Sequence, residues 1–241
     1  MAELETQKAV ELVECGVTGV REAKVIQHDT SGVEWDRFMR LGQTAQRMNA
    51  LKLPKDTVVL DVGGFDGALA LFVPDLRVWV IDPATTGGSG LAIPFPERHF
   101  AVVASIDALE HVPRSERPSL LEELVRVTRS KLFVNYPEAE SMDAQKQVLS
   151  LIPNKFIQEH VEYVLPSRDE TIARLISRDP DIKVNATGHT SINVWVAWYV
   201  LFHTKKERGL VISEFLKTRE QEVSQAPFLY DLLECTLDDV E

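Results

Sequence analysis

The sequence is poor in cysteine, with only Cys15 and Cys235 among its 241 residues. The two lie far apart in the chain, and neither belongs to a Cys-x-x-Cys pair or to a Cys/His spacing typical of zinc sites. Neither a disulfide framework nor a metal centre is therefore predicted. So few thiols are typical of a reducing compartment, which favours a cytoplasmic location.

Positive charge is also scarce, because 26 lysines and arginines stand against 37 aspartates and glutamates, giving a net charge of −11. Nucleic-acid binding depends on clustered basic side chains, so a nucleic-acid partner is not expected, and a small or uncharged acceptor is favoured. No stretch approaches the roughly 18 apolar residues of a membrane-spanning helix. The first residues include Glu3 and Glu5 and lack the apolar core of a secretion signal.

The composition is otherwise that of a globular protein, with 44% hydrophobic and 26% charged residues. A chain of this length can form one domain with a sizeable core. We therefore expect residues 1–241 to form a single domain. Its oligomeric state is not predicted.

The most informative stretch is an apolar run over 58–62, which contains Asp61 and is followed by Gly63, Gly64 and Gly67. Continuous apolar sequence is typical of a strand buried on both faces, and glycines after it allow a tight turn and the close approach of a ligand. The dinucleotide fingerprint has its glycines at the first, third and sixth positions, a spacing that this turn lacks. An NAD or nucleotide-sugar enzyme is therefore the less favoured alternative.

A second apolar run covers 77–81 and ends at Asp82, 21 residues after Asp61. Open α/β folds that bind a nucleoside place a carboxylate at this point, where it binds the ribose hydroxyls. Asp82 is therefore a candidate ribose ligand.

A third motif follows the two apolar runs in the sequence. It contains Leu91-Ala92-Ile93-Pro94-Phe95-Pro96 and ends in Leu109-Glu110-His111-Val112-Pro113. This segment resembles the "LPFPDxSFDxVxxxxxLEHVP" block of the class I S-adenosylmethionine (SAM)-dependent methyltransferases, and Asp-x-Gly-x-x-x-Gly at 61–67 resembles their motif I. The resemblance implies an α/β fold, namely a Rossmann-like three-layer sandwich with a mostly parallel central sheet. It also implies SAM as the cofactor.

The resemblance further implies which residues bind SAM. Asp61, Gly63 and Gly67 would hold the methionine end, Asp82 the ribose, and the adenine would lie beside Ser89, Gly90 and the 106–108 backbone. The full predicted set is Asp61, Gly63, Gly64, Phe65, Gly67, Asp82, Pro83, Ser89, Gly90, Ile106, Asp107 and Ala108.

Two histidines are candidates for catalysis. His111 lies in the loop that the resemblance places beside the methyl donor, and His160 lies between Glu159 and Glu162. An imidazole could accept the proton of an acceptor hydroxyl, but a histidine beside a carboxylate can equally be structural. Methyl transfer from a sulfonium also depends largely on in-line positioning, so a base is not strictly required.

The acceptor is predicted from two further features. Residues 105–108 lack the Asn/Asp-Pro-Pro-Tyr/Phe motif that methyltransferases acting on exposed nitrogens carry there, so an oxygen acceptor on a small molecule or saccharide is favoured. Residues 158–166 resemble an "EHxxxGLP" segment found in methyltransferases associated with cell-surface polysaccharide synthesis, with Val164 in place of glycine.

Three positions depart from the family pattern. Phe65 replaces the middle glycine of motif I, Ser89 stands where an acid is usual, and Ala101 stands where the family has aspartate. A non-catalytic module that binds SAM is therefore an alternative function.

Within the single domain we expect a helical N-terminal cover (1–52), a SAM-binding core (53–137) abbreviated after its second strand, a helical insertion (138–180) and a C-terminal part (181–241). Helices are expected over 9–17, over 114–129 and, from the family, over 192–202, and a short helix over 68–73. Residues 188–191 are expected to form a loop, and 232–241 an acidic tail. A seventh strand is not located.

Overall fold

The computed structural model describes residues 9–237. Within that range the chain forms one eight-stranded sheet with helices packed on both faces. The strands are β1 (Val10–Glu14), β2 (Arg21–Val25), β3 (Val58–Val62), β4 (Arg77–Ile81), β5 (Phe100–Ile106), β6 (Thr128–Pro137), β7 (Lys183–Ser191) and β8 (Phe228–Thr236). The helices are α1 (Trp35–Ala50), α2 (Arg117–Val127), α3 (Met142–Leu151), α4 (Lys155–Tyr163), α5 (Arg168–Arg178), α6 (Ile192–Thr204), α7 (Lys206–Lys217) and α8 (Glu220–Val223).

The strand order is β1-β2-β4-β3-β5-β6-β8-β7. The four central strands β4, β3, β5 and β6 are parallel, and the outer pairings are antiparallel. Their apolar side chains are buried on both faces, where they form two core clusters. The predicted fold class, with a mostly parallel central sheet, is confirmed. Because the four strands run the same way, their carboxyl ends meet at one edge of the sheet.

The N-terminal helix predicted over 9–17 is wrong. Residues 10–25 form a β-hairpin, in which β1 pairs with β2 and β2 pairs with the outer side of β4. Gly16 and Gly19 both have positive φ, which makes the reversal between the strands possible. The connection after β4 supplies no strand of its own, so the hairpin provides the hydrogen-bond partners that β4 needs on that side. In the described part of the predicted helical cover, residues 9–52, only α1 is helical.

The prediction of an acidic tail over 232–241 is also wrong for residues 232–236. Residues 228–236 form β8, which lies between β6 and β7 and is antiparallel to both. This is the strand that the sequence pattern failed to locate. Leu229, Leu232 and Leu233 are all buried, so the segment lacks the alternation typical of a half-exposed strand. Residues 238–241 lie outside the described part of the chain.

Three smaller differences concern element types. Residues 188–191 belong to strand β7 rather than to a loop, and their side chains from His189 onward are buried. The short helix expected over 68–73 is a 3-10 turn, Ala68–Leu71, which ends three residues before Pro74. The helix expected over 114–129 is α2, which ends earlier because β6 begins at Thr128. The apolar run 192–202 is helical as expected.

A membrane-spanning helix is not found among the described residues, since none of their helices combines the necessary length and hydropathy.

The N-terminal hairpin is fixed to the sheet by an ion pair that predicts a pH dependence of stability. Arg77 donates from Nε and Nη2 to the Glu22 carboxylate at 2.9 and 2.7 Å. These hydrogen bonds, more than any other cause, lower the pKa of Glu22 to about 2. A carboxyl whose pKa is lower in the folded than in the unfolded protein stabilises the fold above pH 4.5, and that contribution is lost as the pH falls towards 2.

We expect Glu22→Gln to lower the free energy of unfolding by about 1 kcal/mol at pH 7, because Arg77 is partly exposed and the pair is screened. The difference from the parent should shrink between pH 4.5 and pH 3, as measured by urea denaturation. Glu11→Gln, at an exposed position on β1, is the matched control. A Glu22→Gln protein as stable as this control at pH 7 would contradict the assignment.

Candidate functional site

The predicted cofactor residues lie along the carboxyl edge of the parallel strands. Asp61 and Gly63 are at the end of β3, Asp82 follows β4, and Asp107 follows β5. The structure therefore brings together segments that are up to 47 residues apart in sequence, as the topology requires of parallel neighbours.

The glycine turn after β3 is packed too tightly for side chains. Gly63 has φ +81° and donates its N–H to the Ile81 carbonyl at 2.8 Å, and a Cβ at this position would collide with Ala108. Gly67 has φ +77°, and its Cβ would lie 2.6 Å from Ala23 of the hairpin. The turn thus contacts both the loop after β5 and the N-terminal hairpin, and glycine is required at both positions for sterics and for conformation.

Gly64 and Phe65 complete this turn. A Cβ on Gly64 would collide with the Asp61 carboxylate, so the backbone passes directly over that side chain. Phe65 adopts φ +48° although it is not glycine, and 52% of its side chain is exposed. Phe65 therefore presents an exposed side chain at a position where the family pattern has none.

Asp61 is almost completely buried, and its Oδ1 atom has no hydrogen-bond partner among the described residues. Burial raises the pKa of Asp61 to about 7, and the positive charge of Arg37 only partly offsets this effect. An unpartnered buried carboxylate oxygen is costly, so the site is suited to a cationic or hydrogen-bond-donating ligand.

Asp82 organises the loop that follows β4. Its Oδ1 accepts hydrogen bonds from the N–H groups of Ala84 and Thr85 at 2.9 and 3.0 Å. The Thr85 hydroxyl in turn donates to the Phe65 carbonyl at 2.5 Å, which joins the loop to the glycine turn. The neighbouring Pro83 is exposed. The two predicted binding segments therefore form one connected surface.

The remaining part of that loop packs inward. The Ser89 hydroxyl accepts from the Leu91 N–H at 3.2 Å, and a Cβ on Gly90 would lie 2.8 Å from both Val62 and Leu120. A side chain at position 90 would therefore displace these two side chains where the loop passes between β3 and α2.

The loop after β5 is held from above by helix α1. Arg40 Nη2 lies 2.7 Å from Asp107 Oδ2, and the Asp107 N–H donates to the Asn135 carbonyl at 2.7 Å. Asp107 has φ +57°, so these contacts maintain an uncommon backbone conformation. Burial pushes the pKa of Asp107 upward, but Arg40 and the other partners together lower it below its ordinary value. The adjoining Ile106 is buried at the end of β5.

A second arginine of α1 contacts the glycine turn. Arg37 forms a bidentate ion pair with Asp66, with distances of 2.9 and 2.5 Å. Arg37 and Arg40 therefore connect one helix to the loops after two neighbouring strands.

The two candidate catalytic histidines, 49 residues apart, lie side by side. Nε2 of His111 is 3.3 Å from Nε2 of His160. His111 Nδ1 donates to Glu159 Oε2 at 2.9 Å, and His160 Nδ1 is 2.6 Å from Gln145 Oε1. Burial, followed by the nearby His111, lowers the pKa of His160 to about 3, so His160 is neutral.

Glu110 completes this group, although the sequence pattern did not single it out. Its side chain is fully buried, and neither carboxyl oxygen reaches a hydrogen-bond partner among the described residues. Burial and then the charge of Asp107 raise the pKa of Glu110 well above its usual range. Potential ligand atoms of Glu110, His111 and His160 all lie within 4.8 Å of one another.

Sequence reasoning missed the partners that arrange these groups, namely Arg37, Arg40, Gln145 and Glu110. The first three belong to helices α1 and α3, whose positions over the edge depend on tertiary packing. Glu110 was visible only as part of the "LEHVP" resemblance.

A separate surface cavity of about 210 Å³ is lined by Thr57, Val58, Trp79, His99, Phe100, Ala101 and Arg129. It lies at the amino ends of the parallel strands, on the opposite edge from the candidate site. Ala101, one of the three departures from the family pattern, lines this cavity.

Comparison by sequence finds no match to a family model and no match among curated proteins. Comparison of structures finds similar folds. A protein described as a methyltransferase from an antibiotic biosynthesis pathway of Anabaena variabilis has a TM-score of 0.56 and 16% identity, over 83% of this chain and 99% of that one. The plantazolicin methyltransferase BpumL, in complex with a triazolic desmethylPZN analogue and S-adenosylhomocysteine (SAH), has a TM-score of 0.55 and 10% identity, over 88% of each chain.

A third similar structure is a protein described as a sarcosine dimethylglycine methyltransferase from Galdieria sulphuraria, with a TM-score of 0.51 and 13% identity, over 85% of this chain and 88% of that one. At these identities the likeness concerns the fold. The chain has the Rossmann-like fold of the class I SAM-dependent methyltransferases.

Proposed function

We infer that this protein is a SAM-dependent methyltransferase acting on an oxygen of a small molecule or saccharide. The observation that carries the proposal is the turn at the carboxyl edge. It combines glycines that cannot be replaced, a buried Asp61 oxygen that has no hydrogen-bond partner in the described part of the chain, and the ribose candidate Asp82, in a fold shared with methyltransferases.

The residues present fit SAM at three points. Asp61 Oδ1, which has no hydrogen-bond partner within residues 9–237, matches the ammonium group at the methionine end. The absence of side chains at Gly63 and Gly64 allows a ligand to approach the backbone closely. Asp82 and Pro83 would contact the ribose hydroxyls. Ser89, Gly90 and the 106–108 segment would lie beside the adenine. Similar structures with SAH bound support the same cofactor.

When bound, SAM supplies a methyl group on a positively charged sulfur, open to in-line attack by a nucleophile. The chain contributes mainly by holding the acceptor in line with the methyl group and by electrostatic interactions. In this proposal α1 and the 138–166 segment cover the acceptor. His111, whose Nδ1–H is held by Glu159, presents Nε2 as the atom that could accept the acceptor's proton. A similarity of residues 158–166 to polysaccharide-associated methyltransferases favours a saccharide acceptor.

A non-catalytic SAM-binding module is the second candidate. The exposed ring of Phe65 and the internal hydrogen bonds of Asp82 favour it, since both depart from an open ribose site. Tight SAH binding without turnover on any hydroxyl acceptor would support this function. An NAD enzyme is disfavoured by the glycine spacing, and equilibrium dialysis that detects no bound NAD would exclude it.

The ribose assignment predicts the effect of Asp82→Asn. Losing the carboxylate charge should weaken SAH binding at least about tenfold, because a charge-assisted hydrogen bond contributes on the order of 1.5–3 kcal/mol. Isothermal titration calorimetry at pH 8 measures the affinity. Asp75→Asn removes an exposed acid at the opposite edge of the sheet and should bind like the parent. An Asp82→Asn protein within twofold of the parent would overturn the assignment.

The Asp61 assignment predicts a pH dependence of binding. In the free protein Asp61 has a pKa of about 7, and an ammonium ligand favours its charged form. SAH affinity should therefore be highest at pH 8 and fall about tenfold by pH 6, as the carboxylate becomes protonated. Binding should also release a proton, detectable by calorimetry in buffers of different ionisation enthalpy.

Asp61→Asn removes the titrating group and is the matched variant for this effect. Its SAH affinity should be lower than that of the parent at pH 8 and nearly constant from pH 6 to pH 8. Equal affinity of the parent at pH 6 and pH 8 would show that Asp61 does not contact the ligand's ammonium group.

A further inference from the structure

The histidine pair and Glu110 form a cluster that the methyl-transfer proposal does not explain. We propose that Glu110, His111 and His160 bind a divalent transition-metal ion of the Zn²⁺, Co²⁺ or Mn²⁺ kind. Three features point to a metal: the hydrogen bonds around the two imidazoles, the distance between their Nε2 atoms, and the buried carboxyl group beside them.

A chain of hydrogen bonds fixes the tautomer of His160. The Ser141 hydroxyl donates to the Glu138 carbonyl at 2.7 Å, so its oxygen is left to accept from Gln145 Nε2 at 3.1 Å. That contact orients the amide and places Gln145 Oε1 against His160 Nδ1 at 2.6 Å. Because Oε1 can only accept, the proton of His160 is on Nδ1 and its Nε2 carries a lone pair.

The tautomer of His111 is fixed in the same way. Its Nδ1 lies 2.9 Å from a carboxylate oxygen of Glu159, which accepts the Nδ1–H. In the neutral imidazole of His111, Nε2 therefore also carries a lone pair. Histidines that bind metals are oriented in this way, with the second ring nitrogen donating to a carboxylate or amide oxygen.

The two lone pairs face each other at 3.3 Å, an arrangement that is repulsive unless a cation lies between them. Two nitrogens bound at about 2.0–2.1 Å to one tetrahedral ion are separated by roughly 3.3 Å. The observed Nε2 separation is therefore that of two ligands of one metal. A proton shared by the two rings is the competing explanation.

Glu110 supplies the third ligand. Its carboxyl group is fully buried beside the Asp107 carboxylate, neither oxygen meets hydrogen-bond geometry with a partner among the described residues, and one oxygen lies within 4.8 Å of the ligand nitrogens. Asp107 is nearby but is engaged by Arg40 at 2.7 Å. Two imidazoles and one carboxylate suit a first-row transition metal, and three protein ligands leave a coordination position for a bound molecule.

The site lies next to the proposed cofactor cradle, because Ala108 packs against Gly63 and is two residues from Glu110. If the two Nε2 atoms bind a metal, they are not available as proton acceptors, so the metal site would replace His111 as a base. The metal site itself does not depend on SAM binding.

The test is a titration of the chelator-treated full chain with Co²⁺, followed by visible absorption and by equilibrium dialysis. We expect one Co²⁺ per chain with the ligand-field bands of a nitrogen and oxygen site. Glu110→Gln and His160→Gln should bind Co²⁺ at least about tenfold more weakly. His99→Gln, which removes an exposed histidine at the opposite edge of the sheet, should bind like the parent.

Absence of stoichiometric Co²⁺ binding by the parent, or parental affinity in folded Glu110→Gln and His160→Gln proteins, would overturn the proposal in favour of the shared proton. SAH calorimetry on the same chelator-treated samples separates this outcome from failure of the methyltransferase proposal, since each ligand is measured alone.

A measurement on the parent protein decides the question if the variants do not fold. With ¹⁵N-labelled histidine, Zn²⁺ should shift the Nε2 resonances of two of the six imidazoles and leave the other four unchanged. Shifts confined to other histidines, or no shifts at one equivalent of Zn²⁺, would contradict the site.

Discussion

The ion pair between Arg40 and Asp107 is the interaction on which the arrangement of this site depends. Arg40 is nearly buried, lies 2.7 Å from Asp107 and 3.3 Å from Asp36, and donates to the Tyr230 hydroxyl at 3.1 Å. Both side chains of the pair are partly buried, so removing one of them leaves the other charge only partly compensated. The pair therefore keeps Asp107 in its left-handed conformation and helix α1 over the edge of the sheet.

From this contact the rest of the site follows. Arg37, one turn earlier on α1, holds the glycine turn through Asp66, and Asn135 on β6 donates to the Arg40 carbonyl at 3.1 Å. The loop after β5 then carries Ala108 to the glycine turn and Glu110 and His111 to helix α4. One helix thus sets the positions of the proposed cofactor cradle and of the histidine cluster.

Much of the central sheet could be predicted from sequence. The runs over 58–62 and 77–81 are mainly apolar, and Asp61 and Asp82 lie at or near their ends. This pattern alone predicts buried parallel strands whose carboxyl ends form a polar edge. The edges of the sheet could not be predicted in this way. The hairpin 10–25 has the mixed apolar pattern of a helix or a strand, and only its pairing with β4 decides between them.

The candidate site was predictable in part for the same reason. Motif residues near Gly63 are local in sequence, so their turn could be anticipated. The adjacency of His111 and His160 was not, because it depends on where α4 packs against the loop after β5. The hydrogen-bond chain from Glu138 through Ser141 and Gln145 likewise exists only in the folded protein.

The central claim is that the carboxyl edge of this sheet binds SAM, and a crystal structure of the protein grown with saturating SAH tests it most directly. The account predicts density for one SAH molecule with its ribose at Asp82, its ammonium group at Asp61 and its sulfur facing the loop that carries Ala108 and His111. An SAH molecule bound elsewhere, or an empty edge at saturation, would contradict it.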